Sequence, residues 1–213
     1  MMRIKKFVFS PFQENSYVVY TDAGNGWIID PGCYFPEEKE ELKNFLTDNK
    51  ITPTRLLNTH CHLDHIFGNR FVCDTYNLLP EYHSLDLPTL GMAAISAKMY
   101  GVNGFEESPK AKSHLDKLTE LKLDDQLFRI VFVPGHAPGH VAFIHDKEKL
   151  IIGGDVLFRG SIGRTDLPGG SMVTLLQSIK SEFFTLADDF VVYSGHGEET
   201  TIGYEKKHNP FLT

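Results

Sequence analysis

The densest group of reactive side chains in this sequence is His60-Cys-His-Leu-Asp-His65, which places three imidazoles and one carboxylate within six residues. Imidazole nitrogens and carboxylate oxygens are common ligands of zinc in proteins. If the chain leaves a strand here and turns, His60 and His62 project to one side, while Asp64 and His65 serve a neighbouring position. One loop can then supply two metal ions. The alternatives are a solvated polar loop or a histidine that caps a helix starting near Ile66.

Three further potential ligands, His136, Asp155 and His196, stand beside glycines later in the chain. Each alone also fits a turn or a helix cap, because polar residues and glycine are common in surface turns. Their joint placement is more informative. Like His60, each follows a short apolar run typical of a strand, at residues 54–59, 130–135, 150–154 and 190–195. Since ligands of α/β proteins gather beyond strand ends, we expect these four side chains to meet.

The elements that must position these side chains are short apolar runs mixed with amphipathic segments. We predict strands at residues 4–9, 17–20, 26–30, 127–133, 141–145 and 150–152. A helix is predicted at residues 36–48, which open with proline and acids, and another after Ser171 as its N-cap. A weaker helical pattern covers residues 89–102. Strands and helices in mixed order predict an α/β (α+β) fold in which helices cover sheets.

Composition narrows the classes of partner. At 213 residues with 41% hydrophobic content, the chain has the size of one domain, residues 1–213. Its 21 Lys and Arg against 28 Asp and Glu give a net charge of -7, which excludes electrostatic binding to nucleic acid. The apolar run at residues 7–9 is too short for a signal peptide, and no segment reaches membrane-spanning length, so no membrane partner is expected. Three cysteines without a CxxC spacing favour the reducing cytoplasm.

The sequence resembles the metallo-β-lactamase superfamily through four motifs in the expected order: Thr59-His-Cys-His-Leu-Asp-His65, Pro134-Gly-His136, Gly154-Asp155 and Ser194-Gly-His196. The resemblance begins at Ile29-Asp-Pro-Gly32 and covers nearly the whole chain. It implies a four-layer αββα sandwich. It also implies a ligand set of seven residues, with one metal ion on His60, His62 and His136, a second on Asp64, His65 and His196, and Asp155 bridging them.

The same resemblance gives neighbouring residues a supporting role. Asp30 is expected behind the ligands, where it orients one of them; a turn-capping aspartate before Pro-Gly is the alternative. His140 is expected to line the pocket or to orient the His136 loop. Cys61 stands at a variable spacer position and is predicted not to bind metal.

The chemistry follows from the metals, predicted to be two zinc ions per chain, although mixed histidine and carboxylate sites also accept iron or manganese. A bound zinc lowers the pKa of water from 15.7 to about 7, which makes hydroxide available for hydrolysis. Asp64 and Asp155 are the predicted catalytic carboxylates. A thiol, with a pKa of about 8.5, leaves as thiolate without a dedicated acid, so a thioester is a suitable small-molecule substrate.

The branch of the superfamily is indicated by Asp155, because β-lactamases place Cys or Ser near this position. Residues 154–170, 195–201 and 209–211 resemble short glyoxalase-II-like proteins, which implies hydrolysis of a glutathione thioester such as S-lactoylglutathione. Arg164 matches a glutathione-contacting position and is the predicted substrate-binding residue, with a loop-fixing pair to Asp166 as the alternative. The chain is expected to lack the C-terminal helical domain of full-length glyoxalase II, so a different thiol carrier stays open.

Two other functions stay open at this point. The run Gly163-Arg-Thr-Asp166 is also similar to persulfide dioxygenases, which would use a single iron at His60, His136 and Asp155. A stable metal centre used only for binding or assembly is the non-enzymatic alternative. Residues 85–107 are predicted to cover the site and to set access to it.

Overall fold

The structure, a computed structural model, describes residues 1–111 and 113–212; Lys112 and Thr213, both inside the predicted domain 1–213, lie outside the described residues. Its strands are β1 (Met2–Phe9), β2 (Glu14–Thr21), β3 (Asn25–Ile29), β4 (Thr52–Leu57), β5 (Pro80–Tyr82), β6 (Ser113–His114), β7 (Glu120–Leu123), β8 (Gln126–Phe132), β9 (Val141–His145), β10 (Leu150–Gly154), β11 (Leu157–Phe158), β12 (Ser161–Ile162), β13 (Val191–Ser194) and β14 (Thr200–Thr201).

The helices are α1 (Pro36–Asp48), α2 (Asn69–Tyr76), α3 (Leu87–Gly91), α4 (Ala93–Met99), α5 (Met172–Ser178) and α6 (Ile202–His208). Short 3₁₀ turns occur at Leu63–His65, Ser84–Asp86 and Leu115–Lys117, and α5 continues into a π-helical turn at Ile179–Phe183. Among the described residues, no helix is long and apolar enough to cross a membrane.

The strands form two six-stranded sheets and one small hairpin. The first sheet has the order β1-β2-β3-β4-β5-β6, with antiparallel pairs up to β3 and parallel pairs from β3 onward. The second has the order β14-β13-β10-β9-β8-β7, in which only the β10–β13 pair is parallel. Strands β11 and β12 pair with each other as the hairpin.

The two sheets pack face to face around a shared apolar core. Tyr17, Val19 and Trp27 of the first sheet meet Phe128 and Phe143 of the second, with the Trp27 and Phe128 ring centroids 5.1 Å apart. Because side chains alternate along a strand, each sheet has a second apolar face. That of the first sheet packs against α1 and α2, and that of the second packs against α5. The predicted four-layer αββα sandwich is therefore confirmed.

Helix α1 has the bounds that the sequence predicts, because its signals are local. Pro36 occupies the first turn, and the Glu38 carboxylate accepts hydrogen bonds from the backbone N–H groups of Tyr34 and Phe35, at 2.7 and 2.9 Å. Leu42 and Leu46 are buried against the first sheet. A helix after Ser171 is also confirmed, and the Ser171 hydroxyl accepts the Thr174 N–H as an N-cap does.

The prediction of one helix over residues 89–102 is wrong. The structure has two short helices there, α3 and α4, separated at Met92. Gly91 immediately before the break is a poor helix former, and Pro88 fits only in the first turn of α3, so the chain restarts rather than continues. The segment therefore consists of two short helical pieces that border the cavity described below.

Candidate active site

Four strand ends deliver the predicted ligands to one edge of the sandwich. His60 follows β4, His136 follows β8, Asp155 follows β10 and His196 follows β13. The parallel pairing of β10 with β13 sets Gly154 opposite Ser194, which brings the next residues of both strands together. The first sheet joins this edge through backbone hydrogen bonds from Val141 N–H to the Thr59 carbonyl, 2.9 Å, and from Asn15 N–H to the Gly195 carbonyl, 2.7 Å. The predicted meeting of the four strand ends is confirmed.

One group of donors consists of three histidines, His60, His62 and His136, whose ring nitrogens face one another. The Nε2 atom of His136 lies 2.8 Å from His62 Nδ1 and 3.2 Å from His60 Nε2. Burial lowers the pKa of all three rings, that of His62 to about 3, so the imidazoles are neutral. His136 Nδ1 lies 2.8 Å from the Arg164 carbonyl, which can only accept; Nδ1 therefore carries the proton, and the lone pair on Nε2 points inward.

The second group is mixed and consists of Asp64, His65 and His196. Asp64 Oδ2 lies 3.1 Å from His196 Nε2. Burial lowers the pKa of His65, but the facing carboxylates Asp155, Asp64 and Asp30 outweigh it, and the net pKa is raised well above the usual value. Positive charge is thus strongly favoured at this point, as in a site built for a cation.

Asp155 stands between the two groups. Its carboxylate oxygens lie 3.4 Å from His65 Nε2, 3.5 Å from His136 Nε2 and 3.6 Å from His196 Nε2. Burial raises the pKa of this carboxyl, but His65, His136 and His196 hold the net value below the usual range, so it is ionised. The carboxylate faces both groups at once, which is the position that a bridging ligand occupies. Any Cβ at residue 195 would collide with Asp155 Oδ1, so glycine is required there.

The hydrogen-bond inventory tests whether these residues fit a metal. Both ring nitrogens of His65 and Asp155 Oδ1 are buried without a hydrogen-bond partner. Buried polar atoms are nearly always paired, so His65 Nε2 and Asp155 Oδ1, which face each other at 3.4 Å, indicate a missing ligand there. The neutral imidazoles of His60, His62 and His136 and the carboxylates of Asp64 and Asp155 belong to the donor set that zinc and iron bind, and a metal ion would supply the positive charge that is favoured beside His65. The residues present therefore fit metal ions.

The residues expected behind the ligands do lie there. Asp30 accepts hydrogen bonds from the Thr59 N–H, 2.7 Å, and the Thr59 hydroxyl, 2.6 Å, and its Oδ2 lies 3.1 Å from His65 Nδ1. His140 stacks on the His60 ring at 4.7 Å, and its Nε2 accepts the Asp155 N–H at 3.1 Å. Both side chains are buried, and both hold the orientation of a ligand residue.

Two buried carboxylates near the site were not predicted. Glu14 is fully buried with Oε1 3.8 Å from His65 Nδ1, and burial raises its pKa. Asp86 is fully buried and accepts backbone hydrogen bonds from Cys61 and Gly139. Neither lies in a motif, and a single acid in a strand or loop pattern gives no sequence signal of burial. Only the three-dimensional contacts identify them.

A cavity of about 480 Å³ opens above the donors. Its floor includes His62, Asp64, His136, Asp155 and His196. Residues of α3 and α4 border it, as predicted for residues 85–107, and so does Arg164. The Arg164 guanidinium forms a two-pronged hydrogen bond with Asp166, at 2.7 and 2.8 Å. Cys61 also borders the cavity but is in none of the donor groups among the described residues.

Known proteins similar to this chain also indicate its family. The chain is 35% identical to hydroxyacylglutathione hydrolase GloC of Haemophilus influenzae, an alignment that covers 99% of this chain and 98% of that protein. Among solved structures it is similar to BLEG-1 B3 metallo-beta-lactamase, with a TM-score of 0.90, 37% identity and coverage of 99% and 100%. It is also similar to TTHA1623 in a di-iron-bound form, with a TM-score of 0.87, 35% identity and coverage of 98% and 100%.

The sequence profile of the metallo-beta-lactamase superfamily matches residues 9–196, which include every predicted ligand. The match agrees with the αββα layers and with the donors at the strand ends. This chain belongs to the metallo-beta-lactamase superfamily.

Proposed function

We propose that this protein is a metal-dependent hydrolase that uses two metal ions to cleave a small thioester such as S-lactoylglutathione. The observation that carries the proposal is the position of Asp155, whose carboxylate faces both donor groups at the floor of an open cavity. A closed structural site would be satisfied by four side chains, whereas here seven donors share two ions and leave positions for water and substrate.

In this proposal His60, His62 and His136 would hold one ion, Asp64, His65 and His196 would hold the other, and Asp155 would be shared between them. Zinc is the first candidate; the relative with two bound irons makes iron the second. When bound, such ions lower the pKa of water to about 7 and so supply hydroxide at neutral pH. Asp30 and His140 keep His65 and Asp155 in place, since each has a hydrogen-bond or ionic contact to one of them.

The chain's own groups then position the reactants. Burial raises the pKa of Asp64, but His65 and His196 outweigh it, so Asp64, like Asp155, is ionised near neutral pH. Two ionised carboxylates beside the attacking water accept its hydrogen bonds and orient its lone pair toward the thioester carbonyl. The leaving thiolate needs no protonation, because its conjugate acid has a pKa of about 8.5. Arg164 at the cavity rim is the proposed substrate-contacting residue.

S-Lactoylglutathione is the first substrate to test because of the name of the Haemophilus relative. Hydrolysis of β-lactams is the second candidate function, favoured by 37% identity to BLEG-1 B3 metallo-beta-lactamase. The leaving group separates the two reactions, because the amine of an opened β-lactam must take up a proton, whereas a thiolate departs without one.

The test is elemental analysis of protein purified without a chelator, with S-lactoylglutathione and a chromogenic cephalosporin assayed on the same sample. About two metal ions per chain with thioester turnover supports the proposal. Turnover of the cephalosporin alone favours the second candidate. A single iron per chain, no hydrolysis and oxygen uptake with glutathione persulfide would make the protein a dioxygenase. If no chelator removes the metal and no substrate is turned over, the site is a non-catalytic metal centre.

A further inference from the structure

The walls of the cavity differ in character from its floor. Above the metal-binding donors, the loop before β2 contributes Phe12, and the α3–α4 segment contributes Met92 and Tyr100. The β11–β12 hairpin contributes Phe158 and Ile162. The Phe12 and Tyr100 rings meet edge to face, with centroids 5.6 Å apart. A volume of about 480 Å³ falls within the range of roughly 300–1,000 Å³ of small-molecule sites.

Charge is scarce on these walls. Arg164 is the one lysine or arginine among the described residues that line the cavity. Asp166 already occupies its guanidinium, and this hydrogen bond raises the pKa of Arg164 and lowers that of Asp166 to about 2. Arg164 and Asp166 therefore form a neutral ion pair at the rim, and no other lysine or arginine among the described lining residues is placed to meet a carboxylate on the acyl group.

The apolar side chains of one wall are exposed to solvent and contribute little to the core. Met92 is 40% exposed and Tyr100 is 53% exposed, directly beside the donor groups. When a ligand covers apolar surface beside the donors, the burial stabilises the complex by about 25 cal/mol per Å². The walls thus favour a substrate with an apolar group of matching size.

We propose that the physiological substrate is a thioester with an apolar acyl chain of several carbons, which lies against the apolar cavity walls at Met92, Phe158 and Ile162. The inference rests on the proposed thioesterase function and specifies its substrate class. Lactoyl, with two further carbons and a hydroxyl beyond the thioester carbonyl, covers little of this wall. A carboxylate-bearing acyl group is disfavoured, because Asp166 already occupies the Arg164 guanidinium and Arg164 is the one lysine or arginine among the described residues that line the cavity.

The first experiment measures kcat/KM of the zinc-loaded protein with a series of glutathione thioesters: acetyl, butanoyl, hexanoyl, lactoyl and succinyl. Burial of one methylene contributes about fourfold, so the four methylenes between acetyl and hexanoyl are expected to raise kcat/KM by about 250-fold if all are buried, with butanoyl above lactoyl and well above succinyl. Equal values along the series, or a maximum at lactoyl or succinyl, would overturn the inference.

A binding measurement separates this inference from the catalytic proposal. S-Methyl and S-hexyl glutathione are thioethers that cannot be hydrolysed, and calorimetry gives their Kd without turnover. We expect S-hexyl glutathione to bind at least about tenfold more tightly, with a more negative heat-capacity change, which marks burial of apolar surface. If no thioester is cleaved but this difference is present, the thioesterase proposal fails and the apolar site stands. Equal affinities combined with thioester cleavage would overturn the apolar site alone.

A matched pair of variants tests the wall itself. Met92→Gln keeps the side-chain length and adds a polar amide at the cavity wall. We expect the slope of log kcat/KM, and that of log Kd, against the number of carbons in the chain to fall to less than about half of its value in the parent protein. Met99→Gln makes the same exchange on α4 at a side chain that is 78% exposed and outside the cavity lining, and should leave the slope unchanged. Equal slopes in both variants and the parent protein would contradict the assignment.

Discussion

The carboxylate of Asp86 accepts a 2.6 Å hydrogen bond from the backbone N–H of Cys61, the residue between His60 and His62. Its other oxygen accepts the N–H of Gly139 at 2.7 Å, in the loop that carries His136. Asp86 is fully buried. One carboxylate therefore holds together the two loops that supply the three-histidine group, although Asp86 itself does not reach the cavity.

Replacing this carboxylate should weaken both the fold and metal binding. Asp86→Ala leaves two buried N–H groups without an acceptor, which costs about 2–4 kcal/mol of unfolding free energy. Loss of such an outer partner commonly lowers metal affinity by about 10–100-fold. Urea unfolding and zinc competition with a chromophoric chelator measure the two effects. Asp116→Ala is the control, because Asp116 accepts the Ser84 N–H at an exposed position; its loss should cost under about 1 kcal/mol and leave zinc affinity unchanged. Unaltered zinc affinity in Asp86→Ala would refute the positioning role.

Asp86 also predicts a pH dependence of stability. Burial raises its pKa from 3.8 to about 6, against the lowering effect of its backbone hydrogen bonds. The folded state then binds the proton more tightly than the unfolded state, so the contribution of Asp86 to stability falls as pH rises from about 4 to 6 and is constant above. At about 1.36 kcal/mol per pKa unit, the change is about 3 kcal/mol.

The measurement is urea unfolding of the chelator-treated parent protein and Asp86→Asn between pH 4.5 and 7.5. The parent is expected to lose stability relative to Asp86→Asn as pH rises. The same comparison with Asp116→Asn should be nearly flat over this range, because hydrogen bonds from Ser84 and Asp116 outweigh burial and lower the pKa of Asp116 from 3.8, so this carboxyl is ionised in both the folded and the unfolded state. A pH-independent difference between parent and Asp86→Asn would show that Asp86 titrates normally.

The sequence predicts the ligands better than it predicts their supports, and the reason is physical. His60, His62, Asp64 and His65 are found because they lie in one six-residue run. Asp86 meets its partners across 25 and 53 residues of chain, so nothing near it in the sequence indicates burial or an acceptor role. Position along the chain reveals local chemistry, and contacts between distant segments require the folded structure.

The same distinction separates the elements. Helix α1 is predicted to its ends because a proline, first-turn acids and apolar spacing all lie within it. Strands β5 and β6 have three and two residues and exist only through pairing with neighbours in the first sheet. The residues of the α3–α4 segment that line the cavity, among them Met92 and Ser96, follow helical spacing, so the single-helix prediction finds their common face although it misses the break at Met92.

Removal of a ligand from the mixed group should distinguish a two-metal site from a one-metal site. Asp64→Ala is expected to reduce bound metal from about two ions to one and to lower thioester hydrolysis by about 100-fold or more, since even outer partners cost about 10–100-fold. The matched control from the same loop is Cys61→Ala.

Cys61 is fully buried, its thiol pKa is raised by burial, and it joins none of the described donor groups, so full metal content is expected in this variant. Unchanged turnover in Asp64→Ala would support a mononuclear site, and loss of one metal in Cys61→Ala would make the cysteine a ligand.

The Arg164–Asp166 pair predicts how substrate charge preference can be changed. Asp166→Asn removes the carboxylate that occupies the guanidinium and leaves a free cation at the cavity rim. The KM for a succinyl thioester should then fall by about two- to fivefold, the size of an exposed ion pair, while the KM for a hexanoyl thioester stays the same. Arg129 and Asp146 form an equivalent two-pronged pair on the outside of β8, so Asp146→Asn controls for loss of a surface ion pair and should alter neither KM. Because the salt bridge is exposed, added salt should reduce the gain in Asp166→Asn. An unchanged succinyl KM in that variant would mean that Arg164 fixes its loop and does not meet the substrate.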